Sequence, residues 1–210
     1  MPDASTLILF AAASLVLVIV PGPAVIYILT RSISQGRTAG VASAFGVNAG
    51  TAIHVVAAVV GLSLIIANSA RAFSAIKWAG VFYLAWLGYK TLTAEDASFA
   101  TPQTDRVATR RIFGQGVVVN VLNPKVAVFM LAFLPQFIDP GDPNAALQTF
   151  VLGMTLIAVG LVSDLVYALV GGRIGDFFRT RHGAARTTRR AAGVTYFALA
   201  GVAAITGSRT

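Results

Sequence analysis

Lys125 and Asp164 each stand inside a long apolar stretch of sequence. A charge in hydrocarbon costs at least about 2.5–3.5 kcal/mol unless it is paired or wet, so function is the default reading of such a residue. Lys125 follows Asn123-Pro124 directly. Asp164 has Tyr167 three residues on, which on a helix is the same face. Its carboxylate suits binding a substrate ammonium group, exchanging a proton, or pairing with Lys125; a purely structural ion pair explains it nearly as well. Asn48, Thr51 and His54 recur every three residues as one polar stripe, with Gly46 and Gly50 beside it. His54 suits proton relay, or equally a hydrogen bond between helices. The two glycines allow close helix approach and are read as packing. Pro21-Gly22-Pro23 interrupts one apolar run and Asn123-Pro124 another, so both helices should kink or break there. A broken helix offers free N–H groups and a positive dipole end to a carboxylate; a plain packing kink is the alternative at either position. With no cysteine and two distant histidines, His54 and His182, no metal-ligand spacing exists, and no cofactor is expected.

The elements that must hold these residues follow from composition. Of 210 residues, 56% are hydrophobic and 11% charged, against about 25% charged in soluble domains. Six segments reach the length of about 20 apolar residues that a spanning helix needs: Thr6–Thr30, Val41–Asn68, Phe73–Leu92, Phe113–Phe137, Leu147–Gly172 and Ala191–Gly207. Barrel-type alternation is absent, so the expected fold is all-α, a polytopic membrane protein of six transmembrane helices. The uncharged run from Ala4 to Thr30 is too long for a signal-peptide core and reads as a retained first span. The net charge of +8 sits in short gaps between spans, not on one basic face with stacking aromatics, which argues against nucleic acid. Gaps one, three and five carry 12 of the 16 basic residues. The positive-inside rule places these gaps in the cytoplasm and both termini outside; five spans with one re-entrant segment is the alternative. Gap four, Ile138–Ala146, reads as a tight exterior turn. Trp78, Trp86, Tyr83 and Tyr89 read as interfacial belt or core residues.

The chain also repeats itself. Gly80–Gly88 and Gly193–Gly201 share five of nine residues at a spacing of 113, and Pro23 and Pro124 each precede an apolar run at a spacing of 101. A single transporter-like domain of two inverted three-helix repeats is expected, residues 5–92 and 113–208, joined by a cytoplasmic loop, 93–112. In such folds a substrate site lies where the halves meet.

Several of these residues fall into a familiar order. Pro21-Gly22-Pro23 is followed by Arg31-Ser32, Gln35-Gly36-Arg37 and Gly40, then by Gly46-x-x-x-Gly50-Thr51-x-x-His54. Most specific is Asn120-x-x-Asn123-Pro124-Lys125, running on through Phe129-x-x-Ala132-Phe133-Leu134-Pro135-Gln136-Phe137. Along nearly its whole length the chain resembles the LysE/RhtB family of bacterial amino-acid exporters. The resemblance implies efflux of amino acids or their derivatives, driven by the proton motive force, across the bacterial inner membrane, and it allows a homodimer. Members often carry Asp or Asn where this chain has Ala24, and many carry Asp where it has Thr51. Without those groups a neutral amino acid is the expected substrate.

The expected partners are therefore a zwitterionic small molecule, protons and membrane lipid. Pro21, Gly22, Pro23, Asn123, Pro124 and Lys125 are expected to hold its carboxylate. Asp164, with Tyr167, Asn48 and His54 nearby, is expected to serve the ammonium or a proton. An ion or small-solute channel is the alternative. An intramembrane enzyme is disfavoured, because no nucleophile–base pair or metal set is present.

Overall fold

The computed structural model describes residues 2–68, 107–138 and 142–180, together with single positions at 78, 82, 85, 86, 89, 93, 194 and 197. The predicted spans Phe73–Leu92 and Ala191–Gly207, and the repeat that links them, lie outside the described residues apart from those positions. Every described element is helical: α1 (Ala4–Ile19), α2 (Pro23–Gln35), α3 (Arg37–Asn68), α4 (Thr109–Val121), α5 (Pro124–Phe137) and α6 (Ala145–Thr180).

Two of these are long and apolar enough to cross a membrane unaided, over Arg37–Gly61 and Ala145–Gly171. The other two predicted spans are broken where their prolines stand. α1 and α2 meet at a bend of 55°, and α4 and α5 at one of 47°. Pro23 and Pro124 each begin the second segment, where a missing N–H costs nothing. Within α5, Pro135 withholds the N–H that Leu131 would bond. The ladder widens to a π-helix over Phe129–Phe133, where the Leu134 N–H reaches the Phe129 carbonyl, then tightens to 3-10 over Leu134–Phe137.

The helices extend past the predicted spans. α3 begins at Arg37 rather than Val41, α4 at Thr109 rather than Phe113, and α6 runs to Thr180 rather than Gly172. A hydropathy boundary marks where hydrocarbon ends; the hydrogen-bond ladder carries on into the polar interface. At 36 residues α6 is about 54 Å long, against about 30 Å of hydrocarbon. Of the described residues of gap four, Ile138 and Asp142–Asn144 are bend and turn, while Ala145 and Ala146 already belong to α6.

α3 is the central element, packing against α2, α4 and α6. Gly46 and Gly50 make the α3–α4 contact possible, as their spacing predicts. A Cβ on Gly46 would run into the Phe113 carbonyl, and one on Gly50 would stand 2.8 Å from Asn120 Cβ. Gly36, at φ 86°, ends α2 in a conformation that disfavours a side chain and turns the chain straight into α3. Gln35 Oε1 then accepts from the Val107 N–H at 2.8 Å, bringing the start of α4 to this corner. The end of α2, the start of α3 and the start of α4 thus carry Arg31, Arg37, Arg110 and Arg111 to one end of the molecule. The outer face is apolar, with Leu122 74% and Ile8 69% exposed. Trp78, Trp86 and Tyr89 are exposed as well.

Candidate functional site

Two apolar clusters bracket a polar layer. One gathers Phe10, Leu17, Val55, Phe129, Phe133 and Leu152, with Phe10 ringed by Phe129 and Phe137 at centroid distances of 5.7 and 5.3 Å. The other gathers Ala24, Ile28, Ala44, Val47 and Ala168. On α3 the residues between are Asn48 and Thr51; on α6 they are Gly160 and Asp164. In each broken span it is the break itself. These residues line one cavity of about 40 Å³, which Lys125, Asn120 and Asn123 complete. It has room for water and not for an amino acid.

Lys125 and Asp164 are each only 6% exposed. They line this same cavity. Lys125 Nζ donates to the Val20 carbonyl at 2.6 Å. Val20 ends α1, where carbonyls point outward without helical partners and favour a cation. Gly22 leaves room for the lysine stem, since a Cβ there would lie 3.2 Å from Lys125 Cδ. Asp164 Oδ2 accepts from Asn48 Nδ2 at 2.9 Å.

The polar stripe on α3 continues the network into α4. Asn120 Nδ2 donates to Thr51 Oγ1 and to the Val47 carbonyl, both at 2.8 Å. Its Oδ1 accepts from Asn123 Nδ2 at 3.3 Å. Asn123 Oδ1 in turn accepts from the Lys125 N–H at 3.1 Å, so a side chain already caps α5. α2 has no such cap; its first turn, at Ala24 and Val25, faces the cavity. The two breaks, alike in sequence, therefore differ in their free N–H groups.

Tyr167 and His54 do not line the cavity. Both serve the breaks. In an α-helix a carbonyl bonds the N–H four residues on. For Ile19 that residue is Pro23, and for Asn120 it is Pro124; neither has an N–H. The Tyr167 hydroxyl donates to the Ile19 carbonyl at 2.7 Å. His54 Nε2 lies 3.1 Å from the Asn120 carbonyl, and since a carbonyl only accepts, this nitrogen carries a proton. Pro21 and Pro23 shape the site through the backbone alone, and Gly22 lines it directly. Thr51, Asn120 and Gly160 also line the cavity, beyond the site residues that the sequence predicts. The three-residue spacing from Asn120 to Asn123 was the available signal for Asn120, whereas nothing in the sequence ties Gly160 to a helix 112 positions earlier.

Residues 15–207 match the family described as LysE type translocator. The chain belongs to that family. It is a multi-pass membrane translocator and not an enzyme. Among its relatives, the homoserine/homoserine lactone efflux protein of Salmonella typhimurium is 36% identical over 170 residues, covering 81% of this chain and 82% of that protein. The protein of the same name from Salmonella typhi is 35% identical with the same coverage. An uncharacterized membrane protein of Vibrio cholerae is 29% identical over 171 residues, 81% of this chain and 83% of its own. No solved structure matches the LysE-type chain described here.

Proposed function

We propose that this translocator exports small neutral amino acids or their close derivatives, homoserine among them, from the bacterial cytoplasm through the inner membrane, driven by the proton motive force. The observation that carries the reading is the pairing of Lys125 and Asp164 across one buried cavity at both helix breaks. An α-amino acid has a carboxylate and an ammonium group a few ångströms apart. A cation and an anion facing one cavity match that pair of charges, and a zwitterion adds no net charge to the site.

The carboxylate binds Lys125 and the open first turn of α2, and the ammonium binds Asp164. Asp164 also carries the coupling proton when substrate is absent. Ala24 and Thr51 keep the remaining lining uncharged, which suits a neutral side chain, as do the efflux proteins to which the chain is similar. The cavity as it stands is closed, so loading requires the bundle to open toward one side at a time. Two inverted halves, 5–92 and 113–208, rocking about the site would do this. Support for the halves comes from the matched breaks, each with a carbonyl that faces a proline four residues on and is met by a side chain from another helix.

In proteoliposomes, an imposed pH gradient should drive uphill homoserine movement by the wild type, and Asp164→Asn should abolish it. Unchanged gradient-driven movement in Asp164→Asn would remove this residue from the coupling scheme.

A further inference from the structure

We propose that the groove between the basic ends of α2 and α4 binds an anionic phospholipid, its phosphate on Arg31 and Arg111 and an acyl chain along the outer face of α4. The groove has a volume of about 640 Å³ and shares no lining residue with the central cavity. Arg31 and Arg111 stand on its two sides, with Tyr27, Gly114, Gln115 and Val118 between them.

Arg31 is held in place. Its Nη2 donates to Gln115 Oε1 at 2.9 Å, and its guanidinium lies 5.6 Å from the Tyr27 ring centroid. The Tyr27 hydroxyl is itself fixed on the Ile112 carbonyl at 2.7 Å. Yet Arg31 Nη1 is buried with no hydrogen-bond partner among the described residues. A guanidinium carries five donors and no acceptor, so an unpaired buried N–H there calls for an anion. Arg111, exposed in the first turn of α4, adds a second cation to the same groove.

Below these cations the groove turns apolar. Arg111, Gly114, Val118 and Leu122 follow one another at intervals of three or four residues, so they form one stripe. Val118 is 56% exposed and Leu122 more so. A cationic head above a bare aliphatic stripe is the complement of a phospholipid. Inorganic phosphate would leave the stripe uncovered. A second copy of the chain, packed two-fold on this face, would set arginines against arginines.

Native mass spectrometry of the full chain, released from micelles containing phosphatidylglycerol or phosphatidylcholine of the same acyl chains, tests this. Wild type should retain phosphatidylglycerol at least about tenfold better. Arg31→Gln/Arg111→Gln should bring the two lipids to parity, while Arg37→Gln, at the same end but outside the groove, should keep the preference. Val118→Trp should weaken retention of both lipids. Should Arg31→Gln misfold, Arg111→Gln alone carries the charge test, because its side chain is exposed. Equal retention by wild type, or a preference that survives the arginine changes, overturns the proposal. So does displacement by glycerol 3-phosphate, which would mark a bare phosphate site. A Val118→Trp chain that loses dimers and keeps its lipids would make the groove a contact between copies.

Discussion

Tyr167 and His54 each bond a backbone carbonyl at a helix break and do not line the cavity. Each takes up a carbonyl whose partner proline has no N–H. Removing the Tyr167 hydroxyl leaves the Ile19 carbonyl unsatisfied, which costs about 1–3 kcal/mol. Tyr167→Phe should therefore lower thermal stability in detergent, and His54→Phe by less, because the Asn120 carbonyl keeps the Asn123 N–H, with homoserine transport by the folded fraction retained in both. Loss of transport at unchanged stability would return either residue to the transport machinery. The sequence marks both positions as polar and intramembrane, but their role depends on which helix lies opposite. Lys125 and Asp164 were legible for a different reason. A charge in an apolar run must be paired or wet, so it stands out before its neighbours are known.

The described helices were legible too. The prolines located both breaks, and the glycine spacing on α3 marked a close helix approach, though not that α4 is the partner. Gly50→Leu would place its side chain against Asn120 and the Val117 carbonyl. It should separate α3 from α4, break the Asn120–Thr51 hydrogen bond and lower yield and thermal stability; Val60→Ala, at an exposed position farther along α3, serves as the comparison. A Gly50→Leu protein as stable as wild type would show that the close approach is not required. The turn before α6 responds to pH. Asp142 is held below the ordinary aspartate range first by the Asn144 backbone N–H, at 2.7 Å, and also by Gln148. A lowered folded-state pKa means the turn's contribution is in place above about pH 4 and fades as pH falls through the lower folded value. Hydrogen exchange at the start of α6 should accelerate only on strong acidification, and Asp142→Asn should remove that dependence. What patterning did not reveal was the difference between the breaks, because Asn123 caps α5 while Gly22 has no side chain to cap α2.

Across its described residues the molecule is an apolar bundle around a polar layer. Its outer face suits lipid, and its interior holds opposite charges between two greasy clusters. In the proposed mechanism the aromatic cluster and the Ile28–Ala168 cluster, which flank the 40 Å³ cavity, are what must part to admit substrate. The account stands on the assignment of carboxylate to Lys125 and ammonium to Asp164. Homoserine lactone separates them, since it keeps the amino group and has no free carboxylate. The deciding measurement is counterflow of homoserine and of homoserine lactone by Lys125→Met and Asp164→Asn proteins in proteoliposomes. The expected result is that Lys125→Met loses homoserine far more than the lactone, while Asp164→Asn loses both. Equal loss of the two substrates in Lys125→Met, or unaltered counterflow in both variants, would contradict it.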